Sequence, residues 1–174
     1  MKNEKEKILN EATVCYLCKQ GEIHLAMKTR KIGKGFWNGY GGGIEPGETI
    51  EECVLRELKD ESGVIAKEED IEKIAIVHCH NTTSTGEKFT CTVHFYLVYH
   101  WEGEPQETEE MVTPTWFPMN ELPFYAMMPT DGDWLQDALN GENVEADVYL
   151  GPFQKTKTAP TTIKYVTSFS KSNA

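Results

Sequence analysis

Residues 37–64 read WNGYGGGIEPGETIEECVLRELKDESGV, a glycine-dense loop followed by a short helix loaded with acid. Thr49 is a good N-cap, and Glu52 three residues on completes a capping box. Ser62-Gly63 supplies the stop, with Gly63 suited to a left-handed cap. Between them, Ile50 to Glu61 contains neither Gly nor Pro. At about 100° per residue, Ile50, Cys53 and Val54 share one sector of the helix. Glu57, Asp60 and Glu61 continue that same sector. A solvated charged face would lie opposite the apolar stripe instead.

A charge run on a helix is usually a solvated surface. Here the three acids repel one another at i, i+3 and i+4 and prolong the side that packs inward. Without cations to neutralise it, that arrangement is costly. Hard, divalent cations take oxygen ligands of this kind, and glycines let backbone approach a ligand closely. The stretch therefore reads as a site for a metal-bound phosphate compound.

These residues resemble the signature of the Nudix hydrolases. Gly42, Glu48, Arg56-Glu57-Leu58, Glu61 and Gly63-Val64 fit its spacing throughout, over 23 positions. Asp60 stands where the pattern has Glu, keeping the charge and shortening the reach by one methylene. The run W-N-G-aromatic-G-G at Trp37–Gly42, with Met27-Lys28 and Arg30 before it, is similar to the MutT-type oxidised purine nucleoside triphosphatase group. Glu110-Met111 before Trp116-Phe117, and Met128-Pro129 before Asp131 and Trp134, echo later segments of that group.

The resemblance implies an α/β chain with the Nudix fold, a mixed sheet sandwiched between helices. It implies hydrolysis of a nucleoside diphosphate linked to another group with Mg2+, Mn2+ being a substitute. Glu57, Asp60 and Glu61 are the expected cation ligands, joined by the Gly41 carbonyl and by Glu110. Arg56 is expected to pair with a nearby acid and hold the helix geometry. Glu57, Glu61 and Glu110 all remain open as the proton acceptor. Lys28 and Gly42 are expected on the substrate, with Lys28 on a phosphate or the nucleotide. Asn38 and Asp131 are expected on the base edge, and Met128 over the ring. Met128 and Thr130 replace a tryptophan and an aspartate of the resembled group, which disfavours oxidised guanine in particular and leaves oxidised adenine, other modified purines or a methylated base open. Phe36, Tyr40 and Trp134 are candidate pocket walls.

The expected reaction converts a modified purine nucleoside triphosphate to monophosphate and pyrophosphate, a sanitation of the nucleotide pool. ADP-ribose, a dinucleoside polyphosphate or an RNA cap is an alternative substrate. A nucleotide binder of weak turnover is a third reading, supported by Asp60.

Composition bounds these readings. A chain of 174 residues suffices for one domain, with residues 1–10 and 167–174 as loose ends. A net charge of −11 without a basic patch argues against stable nucleic-acid or anionic-membrane binding. A small nucleotide is the expected partner, to a monomer or weak dimer. The charged Met1–Glu11 lacks the apolar core of a signal peptide. Five cysteines, an odd number, read as reduced thiols of a cytoplasmic protein. Cys15 and Cys18 form a C-x-x-C pair, but strand neighbours three apart face opposite ways. His78-Cys79-His80 also lies in a strand pattern.

Alternation and turn residues predict strands over Glu11–Leu17, Ile23–Lys28, Ile71–His80, Phe89–Trp101, Thr113–Phe117, Val144–Phe153 and Thr161–Val166. A second helix runs from Thr130 or Asp131 to Leu139, ended by Asn140-Gly141. Met27 to Trp37 carries four cations in an acidic chain and reads as a phosphate-facing rim.

Overall fold

A computed structural model describes residues 5–169. Its strands are β1 (Glu11–Lys19), β2 (Glu22–Lys28), β3 (Trp37–Asn38), β4 (Tyr40–Gly43), β5 (Ile71–Thr82), β6 (Lys88–Val98), β7 (Met111–Pro118), β8 (Asn143–Leu150) and β9 (Lys157–Val166). The helices are α1 (Ile50–Ser62) and α2 (Asp131–Leu139). The strand order is β3-β2-β1-β6-β5-β8-β9, with β4 also on β1 and β7 also on β2. The sheet is mixed, since β1 runs parallel to β6 and β5 parallel to β8, with antiparallel pairs between.

Strand alternation sends neighbouring residues of β1 to opposite faces. Cys15 and Leu17 pack with Val54 and Leu58 of α1, while Tyr16 packs with Trp134 and Leu135 of α2. One helix thus covers each face, which is the expected α/β/α sandwich. The α1 caps are those read from the sequence. Thr49 Oγ1 accepts from Glu52 N–H at 3.1 Å, and Glu52 Oε2 accepts from Thr49 N–H. Gly63 closes the helix at φ 79°, donating to the Lys59 carbonyl. Thr130 precedes α2 without a side-chain cap.

The glycine stretch is strand rather than loop. Trp37–Asn38 lies on β2, and Tyr40–Gly43 lies along β1. Glycine is required there by close approach: a Cβ on Gly41 would stand 1.8 Å from the Thr13 carbonyl oxygen. Periodicity cannot flag a strand whose residues lack side chains. The β8 strand stops at Leu150, and Phe153 and Gln154 turn the chain at φ 55° and 56°. The β9 strand then starts at Lys157, four residues before its expected start. It pairs with β8 alone and forms the rim of the sheet, where Pro160 is tolerated. Of the ends expected to be loose, residues 1–4 and 170–174 lie outside the described residues. Among the described residues no helix is long and apolar enough to cross a membrane.

Candidate active site

The C-terminal half of α1 faces the flat glycine strand β4. With no side chain between them, helix carboxylates reach the β4 backbone. Glu61, 5% exposed, accepts a hydrogen bond from the Gly41 N–H at 2.6 Å. A Cβ on Gly42 would stand 2.7 Å from Glu57 Oε1, so the Glu57 carboxylate lies directly against that glycine. Arg56 binds both Glu48 oxygens, at 2.6 and 2.9 Å, and donates to Glu57 Oε1 at 2.7 Å. It also reaches the Gly43 carbonyl, tying helix to strand. The Arg56 guanidinium pulls the Glu48 carboxyl below its ordinary range. Asp60 is the outlying acid of the trio, its side chain 63% exposed and 3.8 Å from Arg56.

Two further groups arrive from the other side. Lys28 ends β2, and Glu110 immediately precedes β7, which pairs with it. The Thr29 hydroxyl and N–H hold the Glu109-Glu110 backbone in place. Glu110 then sits 3.5 Å from Lys31 and 3.9 Å from Arg30. Burial pushes the Glu61 carboxyl up to about 8. The Gly41 N–H opposes that shift, Glu57 and Glu110 add to it, and Lys28 opposes it. Burial lowers the Lys28 ammonium, with Glu61 and Glu110 opposing.

Among the described residues, no three His, Cys, Asp or Glu side chains converge closely enough to hold an ion as they stand. Glu57 is engaged with Arg56, Glu61 with the Gly41 N–H, and Glu110 with Lys31. The donor chemistry nevertheless suits a hard cation: carboxylates around a buried one whose charge is disfavoured. Glu57, Glu61 and Glu110 are the groups that could turn to such an ion, with Asp60 at its margin.

A cavity of about 190 Å³ opens beside this cluster. Lys28, Asn38, Gly41, Gly42, Glu61, Met128 and Asp131 all line it. Arg56, Glu57, Asp60 and Glu110 are not in its wall. Asn38 Nδ2 donates to the Phe36 carbonyl at 3.3 Å. Asp131, 7% exposed, accepts from the Met128 N–H at 3.3 Å. Burial raises its carboxyl to about 7. In its protonated form it can donate a hydrogen bond as well as accept one.

Trp134 lines this cavity as expected, whereas Phe36 lines an adjoining cleft. Tyr40 lies on the other face of the sheet, its hydroxyl 3.4 Å from His24 Nδ1, because alternation along β4 turns it toward α1. Sequence reasoning passed over Tyr16, Cys79, Cys91 and Phe95, which also form the wall. They come from β1, β5 and β6, and no local pattern distinguishes a cavity wall from a filled core. Cys79 and Cys91 face each other across β5 and β6, and all five cysteines are free. His78 and His80 pair with Glu145 and Asp147 on β8.

A capped acidic helix lies against a glycine strand on a mixed sheet, and the chain belongs to the Nudix family: the NUDIX domain model matches residues 9–138. Members of this family act on small nucleotide substrates and generally use divalent metal ions. Among individual proteins, the chain is 37% identical over 122 residues to the oxidized purine nucleoside triphosphate hydrolase of Danio rerio. The match covers 70% of this chain and 74% of that protein. The enzyme of the same name from Mus musculus is 34% identical over the same shares. The fold is also that of the mutator MutT protein of Bacillus halodurans, with a TM-score of 0.71 and 21% identity. That likeness covers 89% of this chain and 97% of the other.

Proposed function

We propose that this chain hydrolyses an oxidised purine nucleoside triphosphate to the monophosphate and pyrophosphate, removing damaged nucleotides from the pool. The carrying observation is one cavity that Lys28, Glu61, Asn38, Met128 and Asp131 line together. Its lining combines a cation and a carboxylate suited to a metal-bound phosphate with amide and carboxyl groups suited to a base edge, and two relatives are named for this activity.

Glu57, Glu61, Asp60, Glu110 and the Gly41 carbonyl are the proposed holders of divalent cation, Mg2+ with Mn2+ as a substitute. Bound there, the cation neutralises phosphate charge and makes water easier to deprotonate. Lys28 contacts the phosphates from β2. Arg56 positions Glu57 through the 2.7 Å contact and holds the α1 end to β4. A carboxylate among Glu57, Glu61 and Glu110 accepts the proton of the attacking water. Water oxygen joins phosphorus as one P–O–P linkage breaks, and pyrophosphate leaves. At the other end Asn38 and Asp131 read the base edge and Met128 covers the ring, with Gly42 leaving room along the substrate. We place the activity in the cytoplasm, a reading resting on the five unbridged cysteines, with the nucleotide as partner of a monomer or weak dimer.

The test is a product assay with Mg2+ over oxidised, methylated and unmodified nucleotides. Pyrophosphate release, selective for an oxidised purine, is expected. Glu57→Gln with Glu61→Gln is expected to reduce kcat at least ~10²-fold. Orthophosphate or two mononucleotides as products would point to another substrate, and full activity of the double variant would remove the proposed metal site.

A further inference from the structure

The cavity wall carries a pair of thiols that the proposed reaction does not use. Cys79 on β5 and Cys91 on β6 are direct cross-strand partners, and both line the cavity. Side chains so paired leave the same face of the sheet, with Cβ atoms about 4.5–5.5 Å apart. Both pack with Phe95 and Trp134 on the α2 face. Cys15, Cys18 and Cys53 are not in the wall. Cys79 is 7% exposed and Cys91 5%. Exposed Lys7 and half-buried Ile32 line the same cavity, so it reaches solvent.

Two thiols on one wall suit a ligand that takes two sulfurs and no more. Among the described residues, no third His, Cys, Asp or Glu joins them closely enough to complete a metal site. Burial raises both thiols, Cys91 to about 11, and at Cys79 the neighbouring Cys91 and Asp131 add to the rise. A divalent cation takes thiolates and must drive those protons off. A peroxide is likewise attacked by the thiolate, so oxidation is disfavoured too. A neutral trivalent arsenical, R–As(OH)2, meets neither obstacle. Each As–O bond breaks as an As–S bond forms, each thiol proton leaves with a hydroxyl as water, and arsenic stays trivalent. No charge is created where burial disfavours charge. A bridging atom also spans the cross-strand gap, whereas a disulfide needs its sulfurs about 2.05 Å apart. The cavity of about 190 Å³ has room for the organic group. An apolar cavity of about 150 Å³ holds benzene.

We propose that Cys79 and Cys91 form a dithiol site for a monosubstituted trivalent arsenical, whose organic group occupies the cavity that Phe95 and Trp134 also line. The site does not rest on the proposed reaction. Where the base of that reaction enters this cavity, the bound arsenical excludes it and hydrolysis stops.

The experiment treats the reduced full chain with phenylarsine oxide in excess 2-mercaptoethanol and counts adducts by native mass spectrometry. The monothiol strips arsenic from single cysteines and leaves it on a chelating pair. One adduct per wild-type chain is expected, removed by 2,3-dimercaptopropanol. Cys79→Ala and Cys91→Ala should each bind at least ~100-fold more weakly, because the second sulfur acts at high effective concentration. Adducts held equally well by either variant, or none on wild type, overturn the proposal. A second measurement needs no variant: crystals of wild type soaked in phenylarsine oxide should show an arsenic anomalous peak between the two Sγ atoms. A peak at another cysteine overturns the site. Triphosphate hydrolysis should fall in step with occupancy. Full occupancy of the pair with hydrolysis unchanged would uphold the site and remove the base from this cavity, so the two readings fail separately.

Discussion

Gly41 and Gly42 are adjacent, yet their hydrogens face different neighbours. A Cβ on Gly41 would meet backbone of β1 at 1.8 Å, while one on Gly42 would meet the Glu57 carboxylate at 2.7 Å. A backbone neighbour can move only with its sheet, whereas a carboxylate swings away on a flexible side chain. Gly41→Ala should therefore lower stability by about 2 kcal/mol or more, as overpacked sites do. Gly42→Ala should leave the melting temperature within about 3 °C and reduce kcat/KM at least ~10-fold, because displaced Glu57 loses its Arg56 contact. Thermal melts and steady-state rates of the two variants check this. Similar effects of both on stability would show that Gly42 is structural instead.

At the scale of the element, α1 separates anchorage from chemistry along its length. Its first turn is held by the Thr49–Glu52 box and its last by Gly63, and both are local. Its middle is held by Arg56, which reaches Glu48 eight residues back and Gly43 on β4. Thr49→Ala should cost about 1 kcal/mol, seen as a melting shift of about 2–4 °C, with activity retained. Arg56→Lys keeps the charge but not the forked contact with Glu48. It should weaken the apparent metal affinity by about 10–100-fold, read from rate against Mg2+ concentration. Unchanged Mg2+ dependence would sink the positioning role given to Arg56.

For the whole molecule, two buried carboxyls make stability pH-dependent. Glu61 is raised to about 8 and Asp131 to about 7, both through burial. Protonated, each is easier to bury than the same group ionised, so the folded state binds more protons than the unfolded chain between the two sets of pKa values. Their contribution is complete below the ordinary carboxylate range and is lost as pH rises through about 7 to 8. The metal-free protein should melt at falling temperature from pH 6.5 to pH 8.5; below that, buried His24 and His94, lowered to about 4, oppose the trend. Saturating Mg2+ should flatten the fall, because a cation favours ionised Glu61. Glu61→Gln should raise the metal-free melting temperature at pH 8.5 while lowering activity. A pH-independent melting temperature with chelator present would refute the account.

The sequence of α1 and its flanks determined a good deal without help. Capping, stop signal and the run of acid behind an apolar stripe are local properties, fixed within a few turns by backbone hydrogen bonding and helical period. The same is true of most strands, whose alternation is legible over seven or eight residues. Four things waited for tertiary structure. Tyr40–Gly43 became a strand because β1 offers an edge that only a chain without side chains can approach. Glu61 was buried, and Asp60 left outside, by where β4 meets the helix rather than by the helical angle they share. Tyr40 was sent to the α1 face and Tyr16 to the cavity by the pleat of a sheet whose register is set across strands far apart in sequence. A cationic cleft brings Lys5 and Lys155, far away in the chain, to the Met27–Trp37 cations that already read as a rim. Local order follows from neighbouring residues, whereas burial, cavity shape and the field at a carboxyl depend on segments that only folding brings together.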